Sequence, residues 1–191
     1  MRISTFGGAV IAAMIAASPA IAGDFDAALT ALAHDRLAQI ATDPTLIDAI
    51  RAQNVQHAAI ADAEVTALDK TWRAQVGQGS APMISALQGN AASARLAAVK
   101  EEGAGLFTEI FAMDDKGLNV ALSDVTSDYW QGDEAKWQQT YLVGAGAVHI
   151  GEVELDESSQ TYQAQVSITI ADPDTNAPIG AITFGINVES L

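Results

Sequence analysis

The chain has 191 residues, 49% of them hydrophobic, and carries 9 basic against 24 acidic side chains for a formal net charge of −15. A field of that sign repels nucleic acid and anionic membrane surfaces and attracts cationic ligands. Cysteine is absent, which excludes disulfides and all thiolate chemistry, so stability must come from the core.

Arg2, the apolar run at 10–17 and the small-x-small sequence Ala20-Ile21-Ala22 read as a secretory signal peptide over residues 1–22. The run falls short of the roughly 20 apolar residues that a span requires. The expected product is residues 23–191, one domain exported to the periplasm, with no membrane span after cleavage. Leu29, Leu32, Ala33, Leu37 and Ile40 then recur at three and four, which predicts a helix. Asp43 caps a second helix that Pro44 opens and that Leu46, Ile47 and Ile50 continue. A third helix carries Ala61, Val65, Leu68, Trp72 and Val76 on one face, with Trp72 expected in the core, and stops at Gly77-Gln78-Gly79. Two short helices follow at 82–90 and 91–100, separated by the stop Gly89-Asn90.

Beyond Gly105 the apolar period changes from 3.6 to 2. Residues 106–113 read as a central strand, Asp114-Asp115-Lys116-Gly117 as a turn and 118–122 as the hairpin partner. Three more strands are expected at 147–155, 161–171 and 179–189, divided by polar turns at 156–159 and 172–176. The predicted class is α+β. Helices within 23–103 pack on one face of a five-stranded antiparallel sheet within 105–191, with a loop and short helix inserted at 123–143. Alternation separates an apolar face (Leu118, Val120, Leu122; Tyr162, Ala164, Val166, Ile168, Ile170; Ile182, Phe184, Ile186, Val188) from a polar one. The polar face carries Asn119, Ala121 and Ser123, then Thr161, Gln163, Gln165, Ser167 and Thr169, then Ala181, Thr183, Gly185 and Asn187.

The inserted stretch, SDVTSDYWQGDEAKWQQTY at 123–141, concentrates two of the three tryptophans and two of the three tyrosines. It also holds the carboxylates of Asp124, Asp128, Asp133 and Glu134. Rings supply area and a carboxylate supplies orientation, the two needs of a small-molecule pocket. With Tyr129, Trp130 and Trp137 folded over the polar face, a cavity would be floored by Ala121, Gln165, Ser167 and Thr183.

The succession FAMDDKGLNVALSD, DYWQGDEAKW and VHIGEVELDESSQTYQAQVSITIADPDTNAPIGAITFGINV resembles the extracytoplasmic Cache domains, PAS-like sensor modules of bacterial receptors. The likeness covers most of the mature chain and is closest to the single-module kind. It implies a long N-terminal helix across one face of a five-stranded antiparallel sheet. A small ligand would bind on the other face, under loops and short helices. Receptor Cache domains usually sit between membrane helices, whereas this sequence stops just after its last strand. It therefore reads as a free-standing version that reports to a separate membrane receptor or signalling protein.

Asp133 follows Gly132 ahead of a helical run and reads equally as an N-cap or as an anchor for an ammonium group beside indole faces. His149 lies on the strand face of Ala147 and Gly151, where it either lines the pocket or is a buried imidazole. The candidate ligand contacts are Ala121, Ser123, Tyr129, Trp130, Asp133, Trp137, His149 and Gln165. No catalytic residue, cofactor or metal is expected. The loop carboxylates match no calcium motif, His34 and His57 lack metal-ligand spacing, and no spacing supports Ser123 or Ser127 with His149 as a hydrolase pair. The reading is a periplasmic sensory or solute-binding domain for an amine or amino acid. The alternative is a structural or protein-interaction module of the cell envelope with no small-molecule ligand.

Overall fold

Residues 22–156 and 161–191 are described by a computed structural model of the chain. Residues 1–21 of the expected signal peptide, and 157–159 of the turn at 156–159, lie outside the described residues. Among the described residues no helix is long and apolar enough to cross a membrane.

Helix α1 (Ala22–Leu32) runs through a π-helical stretch (Ala33–Leu37) into α2 (Ala38–Ile40), and the expected stripe is real: Leu29, Ala33 and Leu37 are fully buried. Helix α3 (Pro44–Gln56) starts as predicted. The Asp43 carboxylate accepts from Thr45 N at 2.9 Å, and Pro44 occupies the first turn, where a missing N–H costs nothing. Helices α4 (Asp62–Gln75), α5 (Pro82–Gln88) and α6 (Ala91–Glu102) follow. Asn90 caps α6 by accepting from Ser93 N at 2.7 Å and donates to Val120 O at 2.9 Å, so the break between α5 and α6 is also a tie to the sheet.

The sheet comprises β1 (Phe107–Met113), β2 (Asn119–Leu122), β3 (Val148–Ile150), β4 (Glu154–Asp156), β5 (Thr161–Ala171) and β6 (Pro178–Asn187). A four-residue helix, α7 (Ala135–Gln138), lies between β2 and β3. All pairings are antiparallel in the order β2-β1-β6-β5-β3, with β4 also on β5. The α+β class and the antiparallel sheet are thus present, with six strands rather than five. The strand expected at 147–155 is broken. The register against β5 slips by one residue between Ile150↔Val166 and Glu154↔Gln163, and Gly151 N, bonded to Gln165 O at 2.8 Å, bridges the jog.

One face of the sheet meets α1, α3 and α6. Ala164, Val166, Ile168, Ile170, Ile182, Phe184, Ile186 and Val188 are all buried there, against Leu29, Leu37, Leu46, Ile50 and Leu96. Two assignments need correction. Tyr162 is 45% exposed opposite Leu155 at 48%, because the helical layer stops short of that end of β5. In β2 the extra residue Val120, opposite the step from Ala112 to Met113 in β1, makes a bulge that breaks the alternation: Val120 stays in the helix-side core as expected and Ala121 joins it, while Leu118 and Leu122 join the other face. Nor do the helices keep to one side. Trp72 and Val65 of α4 and Ile84 of α5 pack in a second core with Phe111, Met113 and Ala181, whose side chains point away from α1 and α3.

Candidate functional site

Pairing across the sheet puts His149, Ser167, Thr183 and Phe111 in one row on the second face, and Gln165, Gly185 and Glu109 in the next. The first row is covered. Ser167 and Thr183 are fully buried, their hydroxyls 3.0 Å apart, and α7 packs against β5 and β6 above them. The second row is shaped by a bulge in β1, between Phe107 and Glu109, that sets Thr108 and Glu109 together against Gly185. Thr108 Oγ1 donates to Gln163 Oε1 at 2.6 Å, and Gln165 Nε2 donates to Glu109 Oε1 at 2.9 Å. A Cβ at position 185 would collide with Thr108 Oγ1, which is why a glycine stands there.

Over this second row the roof leaves an opening. A cleft of about 280 Å³ is lined by Glu134, Lys136, Gly151, Glu152, Glu154, Gln163 and Gln165. Lys136 comes from α7, with its side chain 13% exposed and Nζ 5.3 Å from the centroid of the Phe111 ring. The ammonium is 2.9 Å from Glu134 Oε2 and 3.2 Å from Gln131 Oε1. One cation and three carboxylates therefore line a polar recess whose floor is two strand amides.

The roof is suspended from the β1–β2 turn. Trp137 Nε1 donates to Asp114 O at 3.1 Å, Trp130 Nε1 to Lys116 O at 2.9 Å, and Gln131 N to Gly117 O at 2.7 Å. From the opposite side α3 holds the same turn. The fully buried Asp114 carboxylate meets His57 Nδ1 at 2.8 Å and accepts from Gln53 Nε2 at 2.9 Å, while its other oxygen accepts from Lys116 N and Leu118 N. Next to it, burial pushes the Asp115 carboxyl above its ordinary value, and one of its oxygens has no hydrogen-bond partner.

Of the residues singled out in the sequence, the structure brings Gln165 to the cleft and puts His149 on the same face one row away. The others stand elsewhere. Tyr129 is a core residue, stacked on Trp72 with centroids 5.4 Å apart, its hydroxyl raised well above the ordinary range by burial. Trp130 faces a separate pocket with Ile60, Val65 and Lys116, and Trp137 stacks on Tyr141 at 5.0 Å. Ala121 is in the helix-side core. Ser123 Oγ accepts from Ile110 N at 2.8 Å and donates to Asp124. Asp133 is exposed and is not the cap of α7, a position held by Glu134 without a cap bond. The predicted aromatic roof over Ala121 fails because adjacent aromatics on an irregular segment serve the second core and the turn carbonyls.

Ser123 and His149 stand at opposite edges of the sheet, four strand spacings or about 19 Å apart, so they form no catalytic pair. The loop carboxylates do not converge either: Asp124 pairs with Lys100 at 2.6 Å, Asp128 with Arg73 at 3.0 Å and Glu134 with Lys136. Among the described residues no group of three or more histidines and carboxylates is placed to hold a metal ion.

Sequence reasoning missed Glu134, Lys136, Glu152 and Glu154 as a set. Period two against Gln165 does assign Gln163 to the same face, but the loop pair of α7 carries no periodic signal.

No family model matches the sequence, and no curated protein matches it. Among solved structures the chain is similar to the sensor domain of the V. cholerae histidine kinase DctB, at 17% identity and TM-score 0.49, covering 86% of this chain and 50% of that one. It is also similar to the ligand-binding domain of the Campylobacter jejuni chemoreceptor Tlp3 in complex with 4-methylisoleucine, at 11% identity and TM-score 0.39, covering 79% and 63%. The E. coli DcuS sensor domain matches at 18% identity and TM-score 0.37, covering 66% and 88%. The chain thus spans about half the length of the first of these and under two thirds of the second.

Proposed function

We propose that the chain is a periplasmic ligand-binding module of the Cache type that takes a small amine or amino acid and reports its occupancy to a separate signalling partner. The observation that carries the reading is the cleft over the second face, where Lys136 and three carboxylates surround about 280 Å³ of polar space above Gln163 and Gln165. An α-amino acid needs a cation for its carboxylate and acceptors for its ammonium, and both are within one recess. Lys136 serves the carboxylate, while Glu134, Glu152 and Glu154 serve the ammonium. The aromatic residues named from the sequence act indirectly, by hanging the roof from the β1–β2 turn.

The test is a thermal-shift screen of the protein against amines, amino acids, organic acids and divalent cations. A ligand at a hundredfold excess over its dissociation constant adds about 2.7 kcal/mol to the folded state. The expected outcome is stabilisation by amino acids or amines that Lys136→Met and Gln165→Leu both weaken. Stabilisation that survives both substitutions would move the site away from the cleft, and no stabilisation by any class would favour the envelope-interaction reading.

A further inference from the structure

Lys136 has two partners in the cleft, and they differ in kind. Gln131 is 1% exposed, and its orientation follows from its neighbours: Nε2 is 2.7 Å from Asp128 Oδ1 and 3.2 Å from Asp128 O, both of which only accept. Oε1 is therefore the atom that faces the ammonium. Asp128 is in turn tied to Arg73 at 3.0 Å, and Arg73 to Asp69 at 2.7 Å. The other Asp69 oxygen accepts from Tyr129 N and Trp130 N at 2.9 and 3.1 Å. This arm is fixed. Glu134 is the opposite case, with its side chain 39% exposed at the rim of the cleft and no cap bond to α7 holding it in place.

We infer that Glu134 is an internal competitor for the ligand's carboxylate, and that it sets a preference for ligands that also carry an ammonium group. This deepens the reading above and rests on it. A nearly buried ammonium cannot be left without a counter-charge, so an incoming carboxylate can take the place of Glu134 without exposing Lys136 to that loss. Gln131 keeps the ammonium in register during the exchange. A ligand with a carboxylate alone must then face Glu134, Glu152 and Glu154 with one lysine to offset them. A zwitterion brings its own ammonium for the displaced carboxylates.

Three probes of equal chain length separate these cases in titration calorimetry: pentanoate, L-norvaline and pentan-1-amine. The wild-type protein should bind norvaline most tightly and pentanoate most weakly. In Glu134→Gln the competitor has lost its charge, so pentanoate should tighten by about tenfold or more, norvaline should change by less because the same substitution removes a partner of its ammonium, and pentan-1-amine should weaken. Glu134→Ala should behave in the same way, which separates loss of charge from any bond made by the new amide. Lys136→Met should abolish pentanoate binding in both backgrounds. Pentanoate binding that is equal in wild type and both Glu134 variants would overturn the inference and leave the cleft reading standing. Absence of binding by all three probes to every variant would overturn both.

Discussion

Asp114 offers the sharpest test of how the site is built, because four donors converge on one carboxylate that is fully buried. Asp114→Ala strands all four. Removing the charged member of a buried, hydrogen-bonded cluster costs about 3–5 kcal/mol. Asparagine keeps the shape and one carbonyl, enough for Lys116 N and Leu118 N, and turns an amide NH₂ toward His57 and Gln53. The imidazole can change tautomer and accept. Gln53 still has Leu118 O and Asn119 O at 3.4 and 3.2 Å. About one hydrogen bond is then lost, on the order of 1–1.5 kcal/mol. At about 2–4 °C per kcal/mol for a chain of this size, Asp114→Ala should melt roughly 6–20 °C lower and Asp114→Asn roughly 2–6 °C lower. Thermal and urea unfolding measure the two losses, and histidine NMR should show the His57 tautomer exchanged in the asparagine variant. Equal losses, or an unchanged His57 spectrum, would refute the convergence of donors on this carboxylate.

Gly185→Ala forces a methyl into Thr108 and Glu109 and should cost about 1–3 kcal/mol of stability while weakening ligand binding, because the Gln163 and Gln165 partners must move. Gly117→Ala should cost at least as much, since φ is +78° and a Cβ would lie 2.6 Å from Gly132 Cα; urea denaturation reads both. Asp115→Asn should stabilise by about 0.5–1 kcal/mol at pH 7. The sign follows from the raised carboxyl: the folded state holds its proton more tightly than the unfolded chain. Stability from this group is full below the ordinary Asp range and falls as pH rises through the folded value. The gain of the asparagine variant should therefore vanish toward pH 3, and a gain that persists there would show that charge is not its source.

The fold was legible wherever a period ran long enough. β5 and β6 alternate over ten or more residues and, Tyr162 apart, their apolar faces are buried as read, and the Asp43-Pro44 and Asn90 boundaries follow from local capping chemistry alone. Where a bulge intervened, alternation misled, as at Leu118, Ala121 and Leu122 and at the jog between β3 and β4. The candidate cleft borders the stretch and the strand that the sequence marked, but of the candidate ligand contacts named there only Gln165 lines it. Composition marked the 123–141 stretch, but whether an aromatic there faces ligand or core depends on distant partners, such as Trp72, which stacks on Tyr129 and donates its indole N–H to Thr126 O. Lys136 stands out in sequence only as the cation nearest the loop carboxylates, and a lone lysine on a four-residue helix reads as surface until Phe111 is placed beneath it.

The shortness of α7 has a further consequence. Four residues cannot hold a helix by themselves, since the first turn fixes several dihedrals for a single hydrogen bond. The wall that presents Lys136 therefore takes its rigidity from outside: from Trp137 on the Asp114 carbonyl, from Trp130 on Lys116 O, and from Gln131 on both Gly117 and Asp128. Because α3 grips the same turn through Gln53, Asn54 and His57, the cleft wall and the helical layer share one support. A substitution at Asp114 should then lower ligand affinity as well as stability although it touches no ligand. Lys136→Met removes a charge-assisted partner and leaves that support intact, so it should lower affinity far more than stability. Measuring both quantities on both variants separates the anchor from its scaffold, and a parallel loss in the two would show that Lys136 is part of the scaffold too.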